Sequence, residues 1–429
     1  MLKLQGSIEI PGDKSISHRA LIFAALSTGK TKISNLLESE DIKSTINVLI
    51  SLGISIKKYK NDWIVLGNGT SGFMQPNCAL DCGNSGTTAR LMLGAVSTNP
   101  IVCTFIGDKS LSKRSMSRVT DYLKKIGAEV SLTRGDYFPA MVKGDTDLLP
   151  SYHEMVTASA QVKSALMIAG LSIHGKTTII EKRPTRDHTE RLMKYLKLNF
   201  KKITKGKNGS FIELNGPYEI QPRDLKVACD PSSAAFFIIG ALIIRNSRIT
   251  LRNILLNPTR IEFINILKKM GGKIKISNKK MVCGETVGSI SAEYSKLKGT
   301  VVKASLSSLL IDEYPILAIA ATQSTGITKF NGLDELRHKE SDRIKSITQN
   351  LKRLGFKVIT QNNNIIIHGS KHVIKKSVKI TTFNDHRIAM AFSILSIIYE
   401  NKISLDNEKC IAISYPDFKK HIKELLVNA

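Results

Sequence analysis

Gly12-Asp13-Lys14-Ser15-Ile16-Ser17-His18-Arg19 sets a small turn, a lysine, two hydroxyls and an arginine at the head of an apolar run. Lys14, Ser15 and Arg19 can address one anion, because the four residues from Ser15 to Arg19 make about one helical turn and put both on one side. A Lys-Ser pair after glycine is common, and the nucleotide-binding pattern Gly-x4-Gly-Lys-Ser/Thr is absent. Two carboxylates are candidates for moving protons: Asp312 in IDEYP and Glu340 in HKESDR. Asp312 precedes a strongly apolar helix pattern, where it serves equally well as an N-cap, and on residue type alone the cap is favoured.

The elements that must position these residues recur. SISHRALIFAAL, NSGTTARLMLGAV, ASAQVKSALMIAGL, DPSSAAFFIIGALI, DEYPILAIAA and NDHRIAMAFSIL each open on a polar residue and continue as an Ala-rich apolar helix pattern. Ser15, Ser85, Ser159, Ser232, Asp312 and Asp385 mark the openings, so six units fill the chain at steps of 70 to 80 residues. After each of the first five comes a short β-like run and a second, more polar helical stretch. Gly53, Gly127, Gly271 and Gly355 follow four of these stretches where a left-handed C-cap is expected, and the third lacks the glycine. Lys273 to Ile276 and Asn364 to His368 then alternate as strands, and the sixth copy ends with Phe418 to Leu426. The unit reads β-α-β-α-β-β, an α/β fold with internal symmetry. Helix N-termini attract anions, and if the copies are related by rotation, several converging starts make a site for phosphate and carboxylate. For any single helix, the polar opening is simply a cap.

Composition bounds the function. At 429 residues with 42% hydrophobic and 23% charged residues the chain is neither fibrous nor disordered. Its longest apolar stretch, Ala234 to Ile244, is too short to span a bilayer, and the N-terminal MLKLQGSIEIPGDK lacks an apolar signal core, so a cytoplasmic protein is expected. The net charge of +27 calls for an anionic partner, although 46 of the 63 basic residues are lysines, as biased codon usage alone could produce. Aromatics are only 6%, so no stacking platform for single-stranded nucleic acid is visible. The six cysteines show no CxxC or Cys/His spacing, which points to reduced thiols and no metal site.

GDKSISHRA, GNSGTTARLM, SAQVKSAL, KESDRI and NDHRIAMA together resemble the 5-enolpyruvylshikimate-3-phosphate synthase family, with motifs from residue 12 to 387. The resemblance implies two lobes, each of three β-α-β-α-β-β units in a pseudo-threefold arrangement, with the substrates in the cleft where helix starts point. It implies an N-terminal lobe over 13–227 and a C-terminal lobe from 1–12 plus 228–429. Lys3 to Ile10 would be a strand of the latter, with crossings near Pro11 to Asp13 and Val227 to Asp230.

The implied reaction moves the enolpyruvyl group of phosphoenolpyruvate to the 5-hydroxyl of shikimate 3-phosphate and releases phosphate, without metal or organic cofactor. By resemblance, Lys14 touches both substrates and joins Asp312 and Glu340 as catalytic. Ser15, Arg19, Ser159, Gln161, Arg186, Asp312 and Lys339 hold shikimate 3-phosphate. Asn84, Gly86, Arg114, Gln161, Arg343 and Arg387 hold phosphoenolpyruvate. Asp312 becomes the proton acceptor for the attacking hydroxyl, against its local reading as a cap, and Glu340 lies near the carbon that gains a proton; His386 is taken as structural. Glyphosate, which competes with phosphoenolpyruvate in this family, is expected to inhibit, because Gly86 leaves room that alanine would fill.

Two departures stand out. Ser115 replaces the usual proline after Arg114 and is expected to loosen the turn; Ile413 stands where many members carry a lysine, which puts phosphoenolpyruvate affinity in doubt. The alternatives are a related transferase acting on a UDP-amino sugar and a basic nucleic-acid-binding protein. The first uses a loop cysteine, and Gly107 to Met116 contains none. A monomer with small anionic substrates, and neither nucleic acid nor membrane as partner, is expected.

Overall fold

The computed structural model describes residues 2–204, 209–370, 374, 376–399 and 402–428. Two compact units result: Gly12–Val227 with Val282–Glu285, and Met1–Pro11 with Ala228–Met281 and Thr286–Ala429. Each has its own hydrophobic core.

In the 12–227 unit, the apolar patterns become α1 (Lys14–Ala25), α3 (Gly86–Val96) and α5 (Ala160–Ala169), buried almost all round. The more polar patterns become α2 (Glu40–Ser51), α4 (Ser117–Lys125) and α6 (His188–Tyr195), each exposing one face. Gly94 is the reason that α3 lies tight on α5, since a Cβ there would meet the carbonyl oxygen of Ala165 at 2.3 Å. Among the described residues, three four-stranded sheets surround these helices. In the second copy, Leu80–Asp81 runs parallel to Val102–Ile106, and Glu129–Thr133 and Tyr137–Lys143 add antiparallel, so the copy is β-α-β-α-β-β.

The first copy obtains its opening strand from far along the chain: Leu225–Lys226 pairs with Ile33 and Ser34. The other unit does the same. Its helices are α7 (Pro231–Ile243), α8 (Glu262–Lys269), α9 (Tyr314–Thr322), α10 (Arg343–Arg353), α11 (His386–Ile398) and α12 (Phe418–Leu425). The first strand of the chain, Leu2–Ile8, lies parallel to Arg248–Leu255 and antiparallel to Leu426–Asn428. It therefore opens the fourth copy while the last strand of the sixth copy closes on it.

Local rules explain most helix ends. Gly53, Gly127, Gly271 and Gly355 have φ of +87°, +98°, +94° and +89°, and Lys197 supplies the third turn at +61° without a glycine. The starts differ from expectation at three openings. Asp13 rather than Ser15 caps α1, accepting from Ile16 N at 2.8 Å, and Asp230 rather than Ser232 caps α7, with Pro231 at its first position. At α9 the N-cap residue is Glu313, one beyond Asp312, and its side chain makes no capping bond. Asp312 is therefore no cap, which corrects its local reading. Ser85, Ser159 and Asp385 cap α3, α5 and α11 as expected. Among the described residues, no helix is long and apolar enough to cross a membrane, and no group of three or more His, Cys, Asp or Glu is placed to hold a metal ion.

Candidate active site

The 12–227 unit presents cations at three helix starts. Lys14 opens α1, and its Nζ lies 2.9 Å from Oδ2 of Asp41 in the first turn of α2. One turn on, Arg19 is buried, with Nε donating to Thr189 Oγ1 at 2.7 Å, Nη2 to Ser164 Oγ at 2.6 Å and Nη1 to the Ser15 carbonyl at 2.9 Å. Thr189, Ser164 and the Ser15 carbonyl thus aim the guanidinium.

The start of α3 is built similarly. Arg114 donates to Asn84 Oδ1 at 2.9 Å and Ser110 Oγ at 3.1 Å, while the Asn84 amide is held by Asp108 at 2.6 Å. Arg90, which the sequence reading did not single out, donates from Nη1 to the Gly86 carbonyl at 3.2 Å and Gln161 Oε1 at 3.1 Å, and from Nη2 to the Ser115 carbonyl at 2.9 Å. Gln161 donates in turn to Thr87 Oγ1 at 2.9 Å. Gly86, Gln161 and Ser115 are therefore tied through one guanidinium. A Cβ on Gly86 would meet Arg90 Nη1 at 2.7 Å and Arg114 Nη1 at 3.4 Å.

Ser115 is tied into its turn by its side chain. Its hydroxyl donates to Asp136 at 2.5 Å and shares a 3.0 Å bond with Ser117, so hydrogen bonding replaces the ring constraint. His18 is buried and bonded through Thr45 and Thr88 to Ser85, at 2.7, 2.6 and 2.7 Å. Burial, then Lys14 and Arg19, push its pKa well below the usual histidine range, so it braces the α1, α2 and α3 starts as a neutral ring. Ser159 accepts from Val162 N as a cap, and Arg186 is half-buried in the loop before α6.

The other unit arranges its cations around carboxylates. Arg343, the first residue of α10, is 0% exposed. Its Nε donates to Asp385 Oδ2 at 2.8 Å, its Nη2 to Glu340 Oε2 at 2.7 Å, and its Nη1 lies 3.5 Å from Asp312 Oδ1. Burial opposes this charge, but Asp385, Glu340 and Asp312 outweigh it and raise the arginine's pKa further. Arg387 Nε faces the same Asp312 oxygen at 3.4 Å, and its Nη1 donates to the Asp312 carbonyl at 3.3 Å. Asp312 is thus fixed by guanidiniums from α10 and α11.

Behind it, Glu313 accepts from Ser232, which also accepts from Arg260 Nη2 at 2.9 Å, and Arg260 reaches Asp230 at 3.1 Å. Asp385, 0% exposed, is a second residue that the sequence reading placed only as a helix opening. Lys339 is half-buried and directly precedes Glu340; His386 is buried at the first position of α11. Ile413 packs on this unit's core.

Comparison with known proteins gives the family. The family model for EPSP synthase (3-phosphoshikimate 1-carboxyvinyltransferase) matches residues 1–422. The 3-phosphoshikimate 1-carboxyvinyltransferase of Petrotoga mobilis is 41% identical over 424 residues, covering 98% of this chain and 97% of the relative. That of Zymomonas mobilis is 42% identical over 427 residues, covering 98% and 94%. An EPSP synthase structure from Acinetobacter baumannii superposes with a TM-score of 0.87 at 35% identity, over 100% of this chain and 98% of that one. The enolpyruvyl transferase NikO from Streptomyces tendae shares the fold, with a TM-score of 0.77 at 16% identity, over 100% and 97%. The chain, an α/β protein of six repeated modules, belongs to the EPSP synthase family of enolpyruvyl transferases.

Proposed function

We infer that this protein transfers the enolpyruvyl group of phosphoenolpyruvate to the 5-hydroxyl of shikimate 3-phosphate and releases phosphate, the step of aromatic amino-acid biosynthesis for which its relatives are named. The observation that carries the chemistry is the set around Asp312. This carboxylate is held between two guanidiniums, Arg343 Nη1 at 3.5 Å and Arg387 Nε at 3.4 Å, which keep it ionised and ready to accept a proton from a hydroxyl.

In this reading the hydroxyl oxygen bonds to C2 of phosphoenolpyruvate as Asp312 takes its proton and C3 gains one beside Glu340. The C2–O bond to phosphate then breaks as C3 loses a proton, restoring the enol double bond. Lys14 neutralises charge on both substrates. Ser15, Arg19, Ser159, Gln161, Arg186 and Lys339 take shikimate 3-phosphate; Asn84, Gly86, Gln161, Arg114, Arg343 and Arg387 take phosphoenolpyruvate. Each charge-assisted hydrogen bond contributes about 1.5–3 kcal/mol. Arg90 orients Gln161 and the Gly86 carbonyl. The enzyme is read as a cytoplasmic monomer, which sedimentation at micromolar concentration tests for the oligomeric part.

Phosphate release with both substrates, omitting each in turn, tests the reaction. Release requires both; release without shikimate 3-phosphate overturns the reading.

A further inference from the structure

The 12–227 unit contains a buried ion cluster that the reaction does not use. Lys163 on α5 is 0% exposed, and its Nζ lies 3.1 Å from both oxygens of Glu181 and 2.9 Å from Glu190 Oε1. Lys202 Nζ donates to the same Glu190 oxygen at 3.0 Å, and Ser210 and Thr185 donate to Glu181. Burial works against the Lys163 charge, but Glu190 and Glu181 more than offset it and hold its pKa above the ordinary lysine range. Two lysines and two glutamates balance.

Stability alone is a poor reason for such a cluster, because well-packed apolar residues of similar volume often do as well or better. Its connections give a better one. Glu181 ends the strand Gly175–Glu181, and the next residues, 182–187, form the loop that carries Arg186. Thr185, adjacent to Arg186, is tied to Glu181. Lys163 and Glu190 strap α5 to α6, and their chain neighbours Ser164 and Thr189 share a 2.7 Å bond and together aim Arg19. The same strap holds the helix that begins with the Ser159 cap, whereas the Gln161 amide is held separately by Arg90 and Thr87.

We propose that Lys163, Glu181, Glu190 and Thr185 are positioning residues that set the loop bearing Arg186 and the α5–α6 pair bearing the Arg19 contacts, and so determine affinity for shikimate 3-phosphate rather than for phosphoenolpyruvate. This rests on the substrate assignment above. Charges buried in an apolar surround permit few alternative arrangements, so the loop is held in place before ligand arrives, and less ordering remains to be done on binding.

Steady-state kinetics with each substrate varied test this on Thr185→Val, which cuts the loop's tie and leaves the ions intact, and on Glu181→Gln, which keeps shape and leaves Lys163 paired with Glu190. KM for shikimate 3-phosphate is expected to rise about three- to tenfold in Thr185→Val and about ten- to thirtyfold in Glu181→Gln. KM for phosphoenolpyruvate and kcat should stay within about twofold, and Thr185→Ser should restore the wild-type value. Unchanged KM for shikimate 3-phosphate in both variants overturns the proposal. So does a proportional rise in both KM values with a lowered melting midpoint, which marks the cluster as structural only. If the wild type itself releases no phosphate from the two substrates, the functional reading falls and this inference with it. Wild-type turnover with flat variants removes the inference alone.

Discussion

The arginines of the candidate site are held differently in the two units. In the 12–227 unit, Arg19, Arg90 and Arg114 are oriented by hydroxyls, amides and carbonyls. In the other, Arg343 and Arg387 are oriented by Asp385, Glu340 and Asp312. Neutral acceptors fix geometry and leave the positive charge for a ligand, whereas carboxylates spend that charge on keeping acids beside bases. The first arrangement suits gripping a phosphate and the second suits moving protons. At the start of α1, Lys14 departs from this by pairing with Asp41.

The sharpest break of this contrast is Asp312→Asn, which keeps shape but cannot take the proton. Turnover should fall by roughly 100- to 10,000-fold while shikimate 3-phosphate still binds by calorimetry. Because Asp312 does not cap α9 and Arg343 keeps Glu340 and Asp385, the fold should survive the change. Near-normal turnover would remove proton acceptance from Asp312.

Arg343→Met and Arg114→Met compare the arrangements directly. Removing Arg343 leaves buried carboxylates uncompensated and should lower unfolding free energy by about 3–5 kcal/mol. Removing Arg114 frees the Asn84 and Ser110 oxygens, should cost about 1 kcal/mol of stability, and should weaken phosphoenolpyruvate binding roughly 10- to 150-fold. Denaturation and binding on both variants decide this, and equal stability losses would erase the distinction.

Gly86→Ala sharpens it further. The new methyl meets the mobile end of Arg90, so the guanidinium must shift from Gln161. A few-fold rise in KM for phosphoenolpyruvate is expected, with a larger rise in the glyphosate inhibition constant. Inhibition assays at matched substrate saturation measure both, and an unchanged inhibition constant would dismiss the steric argument.

The smallest effect concerns acid. Burial, then Lys125, push His153 down to about 4, and His18 is lowered too, so the folded 12–227 unit refuses protons that the unfolded chain takes up below its ordinary pKa of about 6.5. Their stability contribution is complete above about pH 6.5 and is lost as pH falls toward 4. Urea midpoints at pH 7.5 and 5 should differ in that sense, and His153→Gln should narrow the gap.

Much of this was legible because it is local. Gly53, Gly127, Gly271 and Gly355 announce their turns since only glycine takes positive φ without strain, and Lys197 escaped notice by taking it regardless. Asp312 was misread as a cap because the residues that claim its side chain, Arg343 and Arg387, lie on later helices that no local pattern connects to it. Arg90 and Asp41 were missed for the same reason, although each lies in or beside a motif otherwise recognised. The opening strand of the first copy, two residues near position 225, carries too little alternation to announce itself.

That strand and its counterpart at the start of the chain have a consequence for biosynthesis. Every strand of the three sheets around α1, α3 and α5 lies between Thr28 and Lys226, so a ribosome finishes them early. Leu2–Ile8, by contrast, emerges before them and pairs with Arg248–Leu255 and Leu426–Asn428. Its edges stay open through most of translation, and Gln5, Gly6 and Ser7, exposed even in the finished fold, keep the waiting segment polar against premature pairing with other nascent chains.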